Sequence, residues 1–182
     1  MVAAGSSVRA TRVARAGSDG RPDRYARGMS DAPAPVWLAD WVHGSPIAPP
    51  ETWGRPGMAV AFNLECAGCV GRAVPWLKRM APAIGDRATL FAVHTSYGHK
   101  RWTREEVVPR LVHYATTFAA LPFPVALDLE GAWAEAMGAE GTPHWWVWDA
   151  TGRAERSVYG SQENALTRLG YVVEGWGVDV GG

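Results

Sequence analysis

An α/β fold built on a mixed β-sheet is what this sequence predicts, and three observations carry the prediction. Short apolar runs of strand length alternate with segments whose apolar residues recur at helical spacing. Two further strand-like runs near the C-terminus are joined by a four-residue turn, and an amphipathic helix closes the chain. With 47% apolar residues in 182, the chain can bury one sizeable core.

Residues 1–32 are rich in Arg, Ala, Gly and Ser and show no sustained apolar period, which predicts a disordered extension ahead of a single domain spanning 33–178. The arginines also suit a transit peptide, but Asp19, Asp23 and several glycines interrupt any amphipathic helix, and Met29 offers an alternative start. The ordered region opens with a short edge strand or turn packed by Trp37, Leu38 and Trp41, followed by a Pro/Gly-rich loop to Gly57. "MAVAFN" (58–63) reads as a buried strand, and the segment 66–85 reads as a helix that begins near Cys66, with Pro75 able to kink it and Gly85 near its end. "ATLFAVH" (88–94) is a second buried strand. Thr103 and Glu106 stand at capping-box spacing ahead of a helix over 103–120, with Val107, Leu111, Tyr114 and Phe118 on its apolar face. A strand at 124–128 and a short helix at 131–138 follow. "HWWVWD", "DATG" and "RAERSVYG" form a hairpin, and 162–176 forms the closing helix.

Charge and composition exclude several classes of function. Eighteen basic residues balance eighteen acidic ones, so no global field attracts nucleic acid or an anionic membrane. No apolar run approaches a membrane span, and no apolar stretch of a secretory signal stands at the N-terminus, which places the expected protein in the cytoplasm. Ten tryptophans, three of them in "PHWWVWD", are expected mostly as packing over the sheet, with Trp145 or Trp146 at the rim of a groove.

Only two cysteines occur, Cys66 and Cys69, separated by Ala67 and Gly68. Two are too few for a disulfide scaffold, so the pair is redox-active, metal-binding or incidental. At a strand-to-helix junction, the first thiol meets unpaired backbone N–H groups and the positive end of the helix dipole, which favour its thiolate. The spacing lets the second thiol hydrogen-bond that thiolate and later attack a mixed disulfide. Cys66 is therefore the expected nucleophile and Cys69 the resolving thiol. A tetrahedral metal site needs histidines besides the two cysteines, and His94 and His99 in "HTSYGHK" are the candidates.

"AVAFNLECAGCVGRAVPWLKRM", "LFAVHTSYGH", "FPVALD" and "GTPHWWVWDATGRAERSVYG" together resemble the thioredoxin superfamily, specifically its TlpA-type or redoxin-type members, over roughly residues 35–176. The resemblance implies a thioredoxin-like domain over 33–178, with a central mixed sheet and a TlpA/peroxiredoxin-type α–β insertion supplied by the 103–120 helix and the 124–128 strand. It further implies that Pro143 is cis and lies against the Cys66–Cys69 pair, and that Thr142 and Pro143 form the edge where a substrate segment docks. His144 follows that proline, and its place in the expected groove makes it a candidate for contact with substrate. No cofactor is required by such a cycle. The implied partners are a disulfide-bearing protein or small molecule and an external thiol reductant, and the implied activity is thiol-disulfide exchange; the lack of an export signal favours the reducing direction, because the cytosolic poise keeps such thiols reduced.

The departures from the pattern concern proton handling. Glu65 stands where the family has tryptophan, and its carboxylate opposes the helix in stabilising a Cys66 thiolate. The family's usual acids fall at Val60 and Arg72, which leaves Glu65 or His94 as the candidate proton acceptor. Arg72, Lys78 and Arg79 share the active-site helix, the last two on a solvated face. Three alternatives remain at this level. A peroxiredoxin-like peroxidase fits the insertion but meets Asn63 where those enzymes have threonine; the others are a copper- or zinc-binding chaperone-like module and a non-catalytic interaction domain.

Overall fold

The computed structural model describes residues 37–179. The extension expected over 1–32 and the first residues of the expected domain lie outside the described residues. In chain order the elements are β1 (Trp41–His43), β2 (Gly57–Phe62), α1 (Val74–Ile84), β3 (Thr89–Thr95), α2 (Arg104–His113), β4 (Val125–Asp128), α3 (Ala132–Ala136), β5 (His144–Trp148), β6 (Ala154–Tyr159) and α4 (Glu163–Gly175). The six strands form one sheet in the order β1-β4-β3-β2-β5-β6. β2 runs parallel to β3 and β3 to β4, whereas β1, β5 and β6 join antiparallel.

Every residue of β2, β3, β4 and β5 is buried, which explains why these strands read as continuous apolar runs rather than alternating ones. Side chains still alternate between the two faces. Met58, Val60, Phe62, Trp145 and Val147 meet Leu77 and Ile84 of α1, Leu111 of α2 and Leu169 and Val173 of α4 on one side. Ala59, Ala61, Phe91, Trp146 and Trp148 meet Trp133 of α3 and the N-terminal Trp37 and Trp41 on the other. The same alternation corrects one expectation: Trp145 and Trp146 are both wholly buried, on opposite faces, and neither rims a groove. Their indole N–H groups donate to Gly160 O and Met137 O, both at 3.0 Å, so the rings are buried without a polar penalty.

Two helices differ from their expected form. The segment after Cys66 enters α1 through a π-turn, Cys69–Ala73, instead of continuing as one regular helix. Pro75 lacks an N–H and its ring would collide with a carbonyl one regular turn earlier; the wider turn just ahead of it removes that conflict. The 103–120 segment is α2 followed by a π-turn, Tyr114–Phe118. Its start is as expected: Thr103 Oγ1 accepts from Glu106 N and Glu106 Oε2 accepts from Thr103 N at 3.0 Å, and that backbone N–H also holds the Glu106 carboxyl below its ordinary value. No helix among the described residues is long and apolar enough to cross a membrane.

Candidate active site

The site is built at the C-terminal end of β2, where the chain must turn from strand to helix. Asn63, wholly buried, fixes that turn. Its Nδ2 donates to Thr95 O of β3 at 2.7 Å, its Oδ1 accepts from Glu65 N at 2.9 Å, and its own carbonyl accepts from Cys66 N at 3.1 Å. A side chain that bridges two strand ends and mimics a backbone turn is a role to which asparagine is suited. The asparagine directly after an apolar run was the available sequence signal, but periodicity does not reveal that its amide reaches β3.

Cys66 and Cys69 are joined as a disulfide with their Cα atoms 5.2 Å apart. Their surroundings differ. Cys66 is half-buried at the mouth of the site, whereas Cys69 has 0% exposure and packs into the core. Cys69 N–H points at Cys66 Sγ from 3.2 Å, and Cys66 O accepts from Cys69 N at 3.0 Å and Val70 N at 3.1 Å. In the reduced protein the first contact favours a Cys66 thiolate, as an N–H aimed at an anion does.

The Thr142–Pro143 peptide is cis, and Thr142 O lies 3.5 Å from Cys66 Sγ. Gly68 packs against the same edge: a Cβ there would stand 2.8 Å from Ser161 Oγ and 3.9 Å from Pro143 Cδ. The structure thus brings Cys66, Thr142 and Pro143 together. His144 is different. It starts β5 on the face that carries Trp146, where its ring stacks on the indole at 4.6 Å. Its Nδ1 accepts from Glu140 N at 3.1 Å and its Nε2 meets Ser157 Oγ at 2.6 Å. The expected substrate contact through the His144 side chain is therefore corrected: strand parity turns it into the protein.

Of the two candidate proton acceptors, Glu65 is exposed beside Cys66. His94 is buried beneath the turn, and its Nε2 accepts from Leu64 N at 3.3 Å, so its acceptor nitrogen already serves the loop. Burial, and secondarily the neighbouring His99, lowers its pKa to about 4. His99 lies at the mouth, with Nε2 2.5 Å from Thr142 Oγ1. Among the described residues, no three His, Cys, Asp or Glu side chains gather as a metal-binding group.

His94 and His144 give the fold a pH signature. Burial lowers both to about 4, against an ordinary value of 6.5 in the unfolded chain. The folded state thus binds fewer protons than the unfolded state between those values. The associated stability is intact above about pH 6.5, declines as the pH falls, and is lost below about 4, on the order of 3 kcal/mol for each ring. Urea unfolding from pH 7.5 to 4.5 is expected to show a falling midpoint over this window. His144→Asn, though less stable at pH 7.5, is expected to show a shallower decline; an equally steep one would contradict the assignment.

No protein-family model matches the chain, and no curated protein matches it. Solved structures do match. A thiol-disulfide isomerase from Corynebacterium glutamicum superposes with a TM-score of 0.67 at 20% identity, over 81% of this chain and 97% of that one. A secreted Mycobacterium tuberculosis disulfide oxidoreductase, described as homologous to E. coli DsbE, gives 0.58 at 18% identity, over 76% of this chain and 95% of that one. StoA from Bacillus subtilis gives 0.56 at 17% identity, over 79% and 98%. With its six-stranded mixed sheet, flanking helices and α2–β4 unit, the chain has the thioredoxin-like fold.

Proposed function

We propose that this protein is a thiol-disulfide oxidoreductase that reduces disulfides in the cytoplasm. The observation that carries the reading is the asymmetric pair: Cys66 at the mouth, against Thr142 O and under the Cys69 N–H, with Cys69 sealed behind it. The match in fold to proteins named as a thiol-disulfide isomerase and a disulfide oxidoreductase supports it.

In the proposed cycle the Cys66 thiolate attacks one sulfur of a substrate disulfide. An S–S bond to Cys66 forms, and the other substrate sulfur leaves as a thiolate that takes a proton from water. Cys69, giving its proton to an acceptor, attacks Cys66 Sγ; the second substrate thiol departs and the protein disulfide is left. An external thiol returns two electrons to the pair. Because His94 is committed to the loop, Glu65 is the proposed acceptor. The reducing direction is supported by two groups that disfavour the Cys66 thiolate, the Glu65 carboxylate beside it and the Thr142 carbonyl oxygen 3.5 Å away. Both offset part of the stabilisation that the Cys69 N–H provides, and a less stabilised thiolate favours the disulfide form, and hence a lower potential.

The test is catalysed reduction of bis(2-hydroxyethyl) disulfide with dithiothreitol as electron source. The expected result is turnover well above the uncatalysed rate and a return to background in Cys66→Ser; equal rates in the two proteins would contradict the reading. Glu65→Gln is expected to raise the midpoint potential by about 10–20 mV, from removal of one nearby solvent-screened charge. It is also expected to slow resolution by Cys69. A potential that falls instead would contradict the role given to Glu65.

A further inference from the structure

Two rings that the exchange chemistry does not use stand at the docking edge, and they reach it from separate parts of the chain. His99 arrives from the turn that follows β3. Ser96 O accepts from His99 N at 3.0 Å, and Gly98 takes φ +73°, the left-handed region that favours glycine. The turn is tied down behind: Ser96 N donates to Asp128 O at 3.3 Å, and Tyr97 N donates to Thr95 Oγ1 at 3.1 Å. This anchoring holds the imidazole against Thr142 Oγ1.

Tyr159 arrives from the end of β6 and meets the preceding residue. A Cβ on Gly141 would lie 3.0 Å from Tyr159 Cε2 and 3.1 Å from its hydroxyl oxygen, so the ring occupies the place of the absent side chain. In a core that buries most of its aromatic rings, Tyr159 remains 48% exposed. One ring therefore covers the Gly141 side of the edge and the other the Thr142 side.

We propose that His99 and Tyr159 are the two walls of the docking edge, and that they select an extended polypeptide segment over a small disulfide for attack by Cys66. The proposal rests on the exchange reading given above. A segment that pairs its backbone with residues 141 and 142 alternates its side chains, so neighbours of the substrate cysteine meet the walls. A half-exposed phenol ring offers a flat apolar surface at small entropic cost, which suits an aromatic or large aliphatic side chain. His99 is a positioning residue: it engages the Thr142 hydroxyl and so steadies the residue whose carbonyl faces Cys66 Sγ. A small disulfide can reach Cys66 without using either wall.

The test compares kcat/KM for insulin, a disulfide-bearing polypeptide, with that for bis(2-hydroxyethyl) disulfide, with dithiothreitol as reductant throughout. His99→Ala and Tyr159→Ala are each expected to lower the ratio of the two efficiencies by about fivefold or more, chiefly through KM for insulin. Tyr159→Phe keeps the ring over Gly141 and is expected to keep the wild-type ratio. An unchanged ratio in either alanine variant, a loss in Tyr159→Phe as deep as in Tyr159→Ala, or a wild type that turns over the small disulfide and not insulin overturns the proposal. Wild-type protein inert towards both disulfides is a separate outcome, and it contradicts the exchange reading itself.

Discussion

Cys69→Ser protein, incubated with a disulfide-bearing polypeptide, is expected to accumulate a mixed disulfide through Cys66, whereas Cys66→Ser is expected to accumulate essentially none. The difference follows from access. Attack requires the nucleophilic sulfur to approach along the axis of the substrate S–S bond, and Cys66 faces the mouth while Cys69 has no exposed surface. Thiolate stabilisation acts in the same sense, since the Cys69 N–H is aimed at Cys66 Sγ. Without Cys69 nothing inside the protein can resolve the adduct, so it persists until an external thiol removes it. Non-reducing gels followed by peptide mapping give the measurement, with a difference of about tenfold or more between the variants. The reverse pattern, or equal trapping by both, would overturn the division of roles.

The second large effect is expected at Asn63. Asn63→Ala removes the donor to Thr95 O and the acceptor for Glu65 N in a fully buried position, and leaves both backbone groups without their partner. Each orphaned group costs about 1–3 kcal/mol, so a loss of about 2–4 kcal/mol in unfolding free energy is expected after partial relaxation. The same change frees the turn that sets Cys66 against Thr142, so exchange should slow as well. Asn63→Asp keeps an acceptor for Glu65 N but places a carboxylate oxygen against the Thr95 carbonyl, and it is expected to be no better than alanine. Urea unfolding measures the first effect and single-turnover exchange the second. A loss below about 1 kcal/mol with unchanged exchange would show that the turn does not depend on Asn63.

The fold was legible because its four central strands, β2 to β5, are buried on both faces and its helices are amphipathic, so apolar runs and helical spacing each reported an element. The pair Cys66 and Cys69 was legible because the strand-to-helix junction around it is encoded locally. What escaped was non-local. His144 follows the cis proline in sequence, but its direction is set by strand parity, which sends it inward with Trp146. Asn63 reads as a turn residue, and its bond to Thr95 depends on β2 and β3 lying side by side. His99 and Thr142 are 43 residues apart and meet only because the turn after β3 is pinned to Asp128. The π-turn ahead of Pro75 has a local cause, yet a proline at that position is equally compatible with a kinked α-helix, the form expected from the sequence.

In the proposed cycle Cys66 and Cys69 act as one two-electron couple. A glutathione redox titration of the purified protein, quenched by alkylation and read by mass spectrometry at each point, tests it most directly. The expected result is a single transition in which both cysteines change state together with the stoichiometry of two electrons, at a midpoint on the reducing side of the glutathione couple. Thiols that alkylate independently of one another across the titration, or that stay protected until a chelator is added, would contradict it.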